Sequence, residues 1–135
     1  MKQEMVAGVI REGEQDSRIR VSLGITRQGA SFGGGKISLL ADTGVRRTIL
    51  NLGDWEQLGM GELKETRLKF RPYGTNHYLP IIGRAAVRLK ALAGAVIETE
   101  VYMNRDRSEE SLLGEKDAAK LGVVTVSPEG AATGV

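Results

Sequence analysis

The chain has 135 residues, with 19 Lys plus Arg against 17 Asp plus Glu, one histidine and no cysteine. That length suits one domain with an ordinary core, and the balanced, dispersed charge argues against nucleic acid as the main partner. Without cysteine, and with His77 alone, there is no disulfide framework and no thiolate or histidine cluster for zinc, so no metal or other cofactor is expected.

Residues 1–17 show little periodicity and read as a flexible N-terminal segment; their polarity is wrong for a signal peptide. No apolar run is long enough to span a bilayer, so the expectation is a soluble, cytoplasmic protein without a membrane partner. From residue 18 to 25, RIRVSLGI places Ile19, Val21, Leu23 and Ile25 on one face, the period-two pattern of a half-buried strand. The glycine-rich TRQGASFGGGK then reads as a long hairpin connection. Its GGGK is not a phosphate loop, because Ala30 stands where the first glycine is needed and Ile37 follows the lysine in place of Ser or Thr.

An apolar strand follows and ends in Asp42-Thr43-Gly44. Trp55 is expected in or near the core, given how few large aromatics the chain has. Further strands are predicted at 63–70, 78–82, 85–92 and 95–103. EKDAAKL, between Gly114 and Gly122, predicts one short helix closed by the second glycine, and VVTV at 123–126 predicts a last strand. Residues 127–135 read as a flexible tail, which leaves 18–126 as the folded domain. Many short strands with a single helix predict an all-β barrel or sandwich.

Serine hydrolase chemistry lacks a G-x-S-x-G elbow, which leaves carboxylates as the candidate catalytic groups. Asp-Thr-Gly alone is also a good turn sequence. Its context says more: an apolar strand into Asp-Thr-Gly, then a hairpin containing PYGTN, then SLLG leading into a helix. That order resembles the retropepsin-like aspartic proteases. LKFRPYGTNHYLPIIGRAAVRL and SLLGEKDAAKLGVVTV are most similar to the proteases of gypsy-type long-terminal-repeat retrotransposons. The resemblance implies a small closed barrel with a flap, working as a homodimer on an extended peptide or polyprotein. It assigns the catalytic carboxyl to Asp42, a hydroxyl lock between the two active-site loops to Thr43, and channel lining to Gly44. Val45, Arg46, Leu113 and the flap-tip residues Tyr73, Gly74, Thr75 and Asn76 are implied to meet substrate.

One Asp per chain suffices for such chemistry, because two facing carboxyls cannot both ionise cheaply and so share a proton. By analogy, activity should favour mildly acidic pH. The implied role is processing of a retrotransposon Gag-Pol polyprotein, in the cytoplasm or inside virus-like particles. Two alternatives stay open: an inactive peptide-binding dimer of the same fold, and a cellular protease like the retropepsin domains of ubiquitin-shuttle proteins.

The flap is expected at 69–82 with its tip at 73–77, where Pro72 and Gly74 favour a turn. His77 reads as a solvent-facing flap residue. The chain departs from the retroviral pattern after Asp-Thr-Gly, where Val45 and Arg46 replace alanine and an acid, and after Gly114, where Glu115 replaces an arginine. The paired change of sign predicts an Arg46–Glu115 ion pair bracing the loop against the helix. Arg47 is expected to favour acidic or polar substrate side chains. Glu98, Glu100, Asp106, Glu109 and Glu110 read as solvated charges.

Overall fold

The computed structural model describes residues 19–29, 34–42, 44–71, 77–123, 125–126 and 132–133. Six strands close into a barrel: β1 (Ile19–Arg27), β2 (Gly35–Asp42), β3 (Ile49–Asn51), β4 (Ile81–Lys90), β5 (Val96–Asn104) and β6 (Leu112–Gly114), in the spatial order β1-β2-β6-β3-β5-β4. β4 pairs back onto β1 and completes the circle. Two helices complete the domain, α1 (Leu52–Gln57) and α2 (Glu115–Leu121), and β7 (Thr125–Val126) pairs with β8 (Ala132–Thr133) in a separate two-stranded ladder. The closed all-β barrel expected from the strand pattern is the observed architecture.

Alternation builds the wall as the sequence suggested. Ile19, Val21, Leu23 and Ile25 of β1 and Ala85, Val87 and Leu89 of β4 all enter the common core, while Arg20 and Arg88 lie outside. Each strand's inward set must meet the others, because a shift of one residue would turn all of them outward. At the end of β2 the alternation stops: Leu39, Leu40 and Ala41 are all buried, so both faces of the strand are covered just before Asp42. Trp55 on α1 is core, 2% exposed, with its indole N–H donated to the Gly61 carbonyl at 2.7 Å.

Several elements differ from expectation. The strands foreseen at 78–82 and 85–92 are one strand, β4, with a register shift between Ile81 and Gly83. Residues 63–70 form no strand. They cross outside β4 at one bridge, Lys64 with Arg84, beside Gly83, where a Cβ would lie 2.8 Å from Leu63 Cβ. Beyond that bridge the segment turns from β4 to a different partner, the Leu79 N–H bonding the Phe70 carbonyl at 2.6 Å. The last expected strand, 123–126, is reduced to the two residues of β7.

α1 was not foreseen, although its start is well marked. Asn51 is the N-cap, its Oδ1 accepting the Asp54 N–H at 2.7 Å. The same side chain donates to the Glu109 carbonyl at 2.8 Å, and Ser111 Oγ donates to Asp54 Oδ2 at 2.7 Å. This network fastens β3 and α1 to the approach of β6. α2 ends as expected at Gly122, whose φ of 77° is the left-handed cap that glycine tolerates without cost.

Candidate active site

Asp42 is the last residue of β2 and pairs in parallel register with Gly114, the last residue of β6. The chain turns at once: the Gly44 N–H donates to Asp42 Oδ1 at 2.8 Å and the Val45 N–H to the Asp42 carbonyl at 3.2 Å. The half-buried carboxyl is thereby oriented by its own turn.

The loop from Gly44 to Arg47 is held by α2. A helix leaves its first N–H groups without partners inside the helix, and here loop carbonyls take two of them. The Glu115 N–H donates to the Val45 carbonyl at 2.7 Å and the Lys116 N–H to the Arg46 carbonyl at 3.3 Å. The expected Arg46–Glu115 ion pair does not form; both side chains are exposed and neither makes an ion pair among the described residues. Backbone bonds brace this joint where side-chain charges were predicted to.

Gly114 is required by contact rather than by dihedral freedom. A Cβ there would lie 2.4 Å from the Arg47 carbonyl carbon and 2.6 Å from the Arg46 oxygen. The adjacent Leu113, expected at the substrate, is instead fully buried in the barrel core at 0% exposure.

Beneath the loop lies a buried polar cluster that the sequence reading missed. The Gly114 N–H donates to Thr48 Oγ1 at 3.1 Å, Thr48 Oγ1 donates to Asp117 Oδ2 at 2.7 Å, and Thr99 Oγ1 donates to Asp117 Oδ1 at 2.9 Å. Asp117 is only 3% exposed and Thr48 is fully enclosed. The cluster joins α2, the loop after Asp42 and β5 in one chain of satisfied partners. A signal was present in EKDAAKL, since Asp117 shares a helix face with Leu121 four residues on, and both are buried.

Beside this loop opens a cleft of about 340 Å³, lined by residues 44–47, Ile49, residues 68–71 and Leu79. Its walls join the Asp42 loop to the two arms of the expected flap. Phe70 stacks at 4.9 Å on Tyr102 in a tilted pair, and the Arg47 guanidinium sits 5.8 Å from the Tyr102 ring centre. Gly44, Val45 and Arg46 all line the cleft. Thr43 and the flap-tip residues Tyr73, Gly74, Thr75 and Asn76 lie outside the described residues. His77 is exposed, and no cluster of potential metal ligands occurs among the described residues. Glu98 and Glu100 do sit on the surface, paired with Arg88 and Arg84.

Neither a scan against protein-family models nor a search of curated proteins found a match. Among solved structures the chain is similar to a retropepsin-like aspartic protease from Rickettsia conorii, with a TM-score of 0.51 and 18% identity over 90% of this chain and 89% of that one. The likeness is one of fold: this barrel has the retropepsin-like architecture.

Proposed function

We propose that the chain is one subunit of a homodimeric aspartic endopeptidase, in which Asp42 of each copy meets its counterpart across a two-fold axis. One observation carries the reading: a half-buried carboxyl at the end of β2, oriented by its own turn, begins the loop whose backbone packs on Gly114 and whose residues 44–47 line an apolar-walled cleft. The shared fold of the Rickettsia conorii protease supports it. The chain has a single Asp-Thr-Gly, so two copies are needed to bring two such carboxyls together, and a closed two-fold pair is the simplest symmetry that does so.

In the pair one carboxyl keeps its proton while the other is ionised. The ionised group takes a proton from water as the oxygen adds to the scissile carbonyl carbon, and the protonated group gives its proton to the carbonyl oxygen. Collapse of the tetrahedral species breaks the C–N bond as the amine nitrogen takes up a proton, so no covalent enzyme intermediate forms. The family resemblance assigns Thr43 to join the two active-site loops and Tyr73, Gly74, Thr75 and Asn76 to meet the peptide; among the described residues, the arms on either side meet where the Leu79 N–H bonds the Phe70 carbonyl.

The substrate this reading assigns is a gypsy-type retrotransposon polyprotein, on the resemblance of the flap and SLLG segments. The similar fold of the protease from Rickettsia conorii favours a second reading, a cellular protease with the same chemistry. Cleavage of a diverse peptide mixture between about pH 4 and about pH 7 tests the enzyme itself. Activity that is inhibited by pepstatin and lost in Asp42→Asn supports the proposal, whereas cleavage that survives Asp42→Asn unchanged refutes it. Selective cutting at Gag-Pol junction peptides separates the element's enzyme from a cellular one.

A further inference from the structure

The cleft beside Asp42 is apolar in its walls and cationic at its rim. Val45, Ile49, Leu68, Phe70 and Leu79 form the walls, Gly44 and the cations Arg46, Arg47, Lys69 and Arg71 complete the lining, and no Asp or Glu contributes to it. Among the described residues these four cations lack a carboxylate partner, unlike four other surface arginines, a feature that exposed Arg67 and Arg105 share. Arg84, Arg88, Arg107 and Arg20 each face a glutamate, whereas none of the cleft cations makes an ion pair among the described residues.

Aromatic rings hold three of them in place. Arg47 lies over Tyr102, and Lys69 and Arg71 lie 5.7 and 5.8 Å from the centre of the Tyr78 ring. A ring face orients a cation without neutralising it, so the charge remains available to a ligand. The nearby Glu100 does not cancel this field, being engaged by Arg84 and reached by the Tyr102 hydroxyl at 3.5 Å.

We infer that this cleft selects extended peptides in which an Asp or Glu lies within two residues of an apolar side chain. The inference rests on the reading of the cleft as the peptide channel. In an extended chain, side chains two residues apart share a face at about 7 Å, close enough for an apolar group to enter the walls while a carboxylate meets the rim. Two-fold symmetry repeats the preference on both sides of the scissile bond.

Binding, measured on the Asp42→Asn protein, tests the inference separately from cleavage. Fluorescent peptides with one apolar anchor carry Glu, Gln or Lys two residues away, and anisotropy is read at low and high salt. The Glu peptide should bind about fivefold more tightly than the Gln peptide, with the gap closing as salt screens the exposed charges. Lys69→Glu/Arg71→Glu, which changes exposed residues only, should reverse the order of the Glu and Lys peptides. Equal binding of all three, or preference for Lys by the parent chain, would overturn the inference, as would equally strong competition from a single-stranded oligonucleotide. Tight binding of the Glu peptide by a protein whose parent cuts nothing would uphold the inference and remove the protease reading.

Discussion

Replacing Asp117 with alanine strips two hydroxyls of their acceptor at once, that of fully buried Thr48 and that of partly buried Thr99. Thr48 donates to one carboxyl oxygen at 2.7 Å and Thr99 to the other at 2.9 Å, in a site where Asp117 is 3% exposed. A buried donor left unsatisfied costs about 1–3 kcal/mol and the partly buried Thr99 about 1–2 kcal/mol, so the pair costs about 2–5 kcal/mol, against total stabilities of about 5–15 kcal/mol for domains of this kind. With a urea slope of about 2 kcal/mol/M, a mid-range loss of about 4 kcal/mol lowers the unfolding midpoint by about 2 M. Asp117→Asn keeps one acceptor oxygen, and Thr99→Val removes one bond of the two; each should cost about 1–2 kcal/mol. The assay is urea unfolding at one fixed protein concentration, since dimerisation would make stability depend on concentration. An Asp117→Ala protein within about 0.5 kcal/mol of the parent, with an unchanged slope, would refute the view that this cluster holds the Asp42 loop.

Gly114→Ala places a Cβ 2.4 Å from the Arg47 carbonyl carbon, a contact relieved only by moving the loop. It should destabilise the protein by about 1–3 kcal/mol or more and lower activity further than stability alone explains, as thermal melting and peptide cleavage together would show. Asp106 has its pKa held below the ordinary 3.8 chiefly by the Ser108 hydroxyl and backbone N–H, helped by Arg105. Because the folded value is depressed, the stabilisation is full above the unfolded value and fades as pH falls through the folded one. Ser108→Ala should raise the Asp106 pKa towards its ordinary value in an NMR titration.

Period-two runs made β1, β4 and β5 visible in the sequence; the wall buries every second residue along β1 and β4, while β5 ends in four consecutive buried residues, 101–104. The site was legible where chain neighbours define it, at Asp42, Gly44 and Gly114. β3 and β6, at three residues each, are too short to carry a period, and they are strands because Ile49 pairs with both Leu112 and Tyr102. The bonds of Ser111 to Asn51 and Asp54 join residues about sixty positions apart, and no local pattern announces them. The Arg46–Glu115 expectation failed for a related reason. Charge reversal suggested a side-chain contact, but the loop carbonyls already satisfy the helix's first N–H groups and leave both charged groups in solvent. In EKDAAKL only its spacing from Leu121 sets Asp117 apart, and that spacing places it on the buried face.

In the proposed homodimer one active site requires an Asp42 from each of two copies. Mixing tests it directly: a fixed amount of parent chain is refolded with increasing Asp42→Asn chain and assayed for peptide cleavage. If both carboxyls are needed, random pairing at about ninefold excess of the variant leaves about one tenth of the original activity. Activity that stays constant as the inactive chain is added, while the two chains demonstrably exchange, would contradict a shared site.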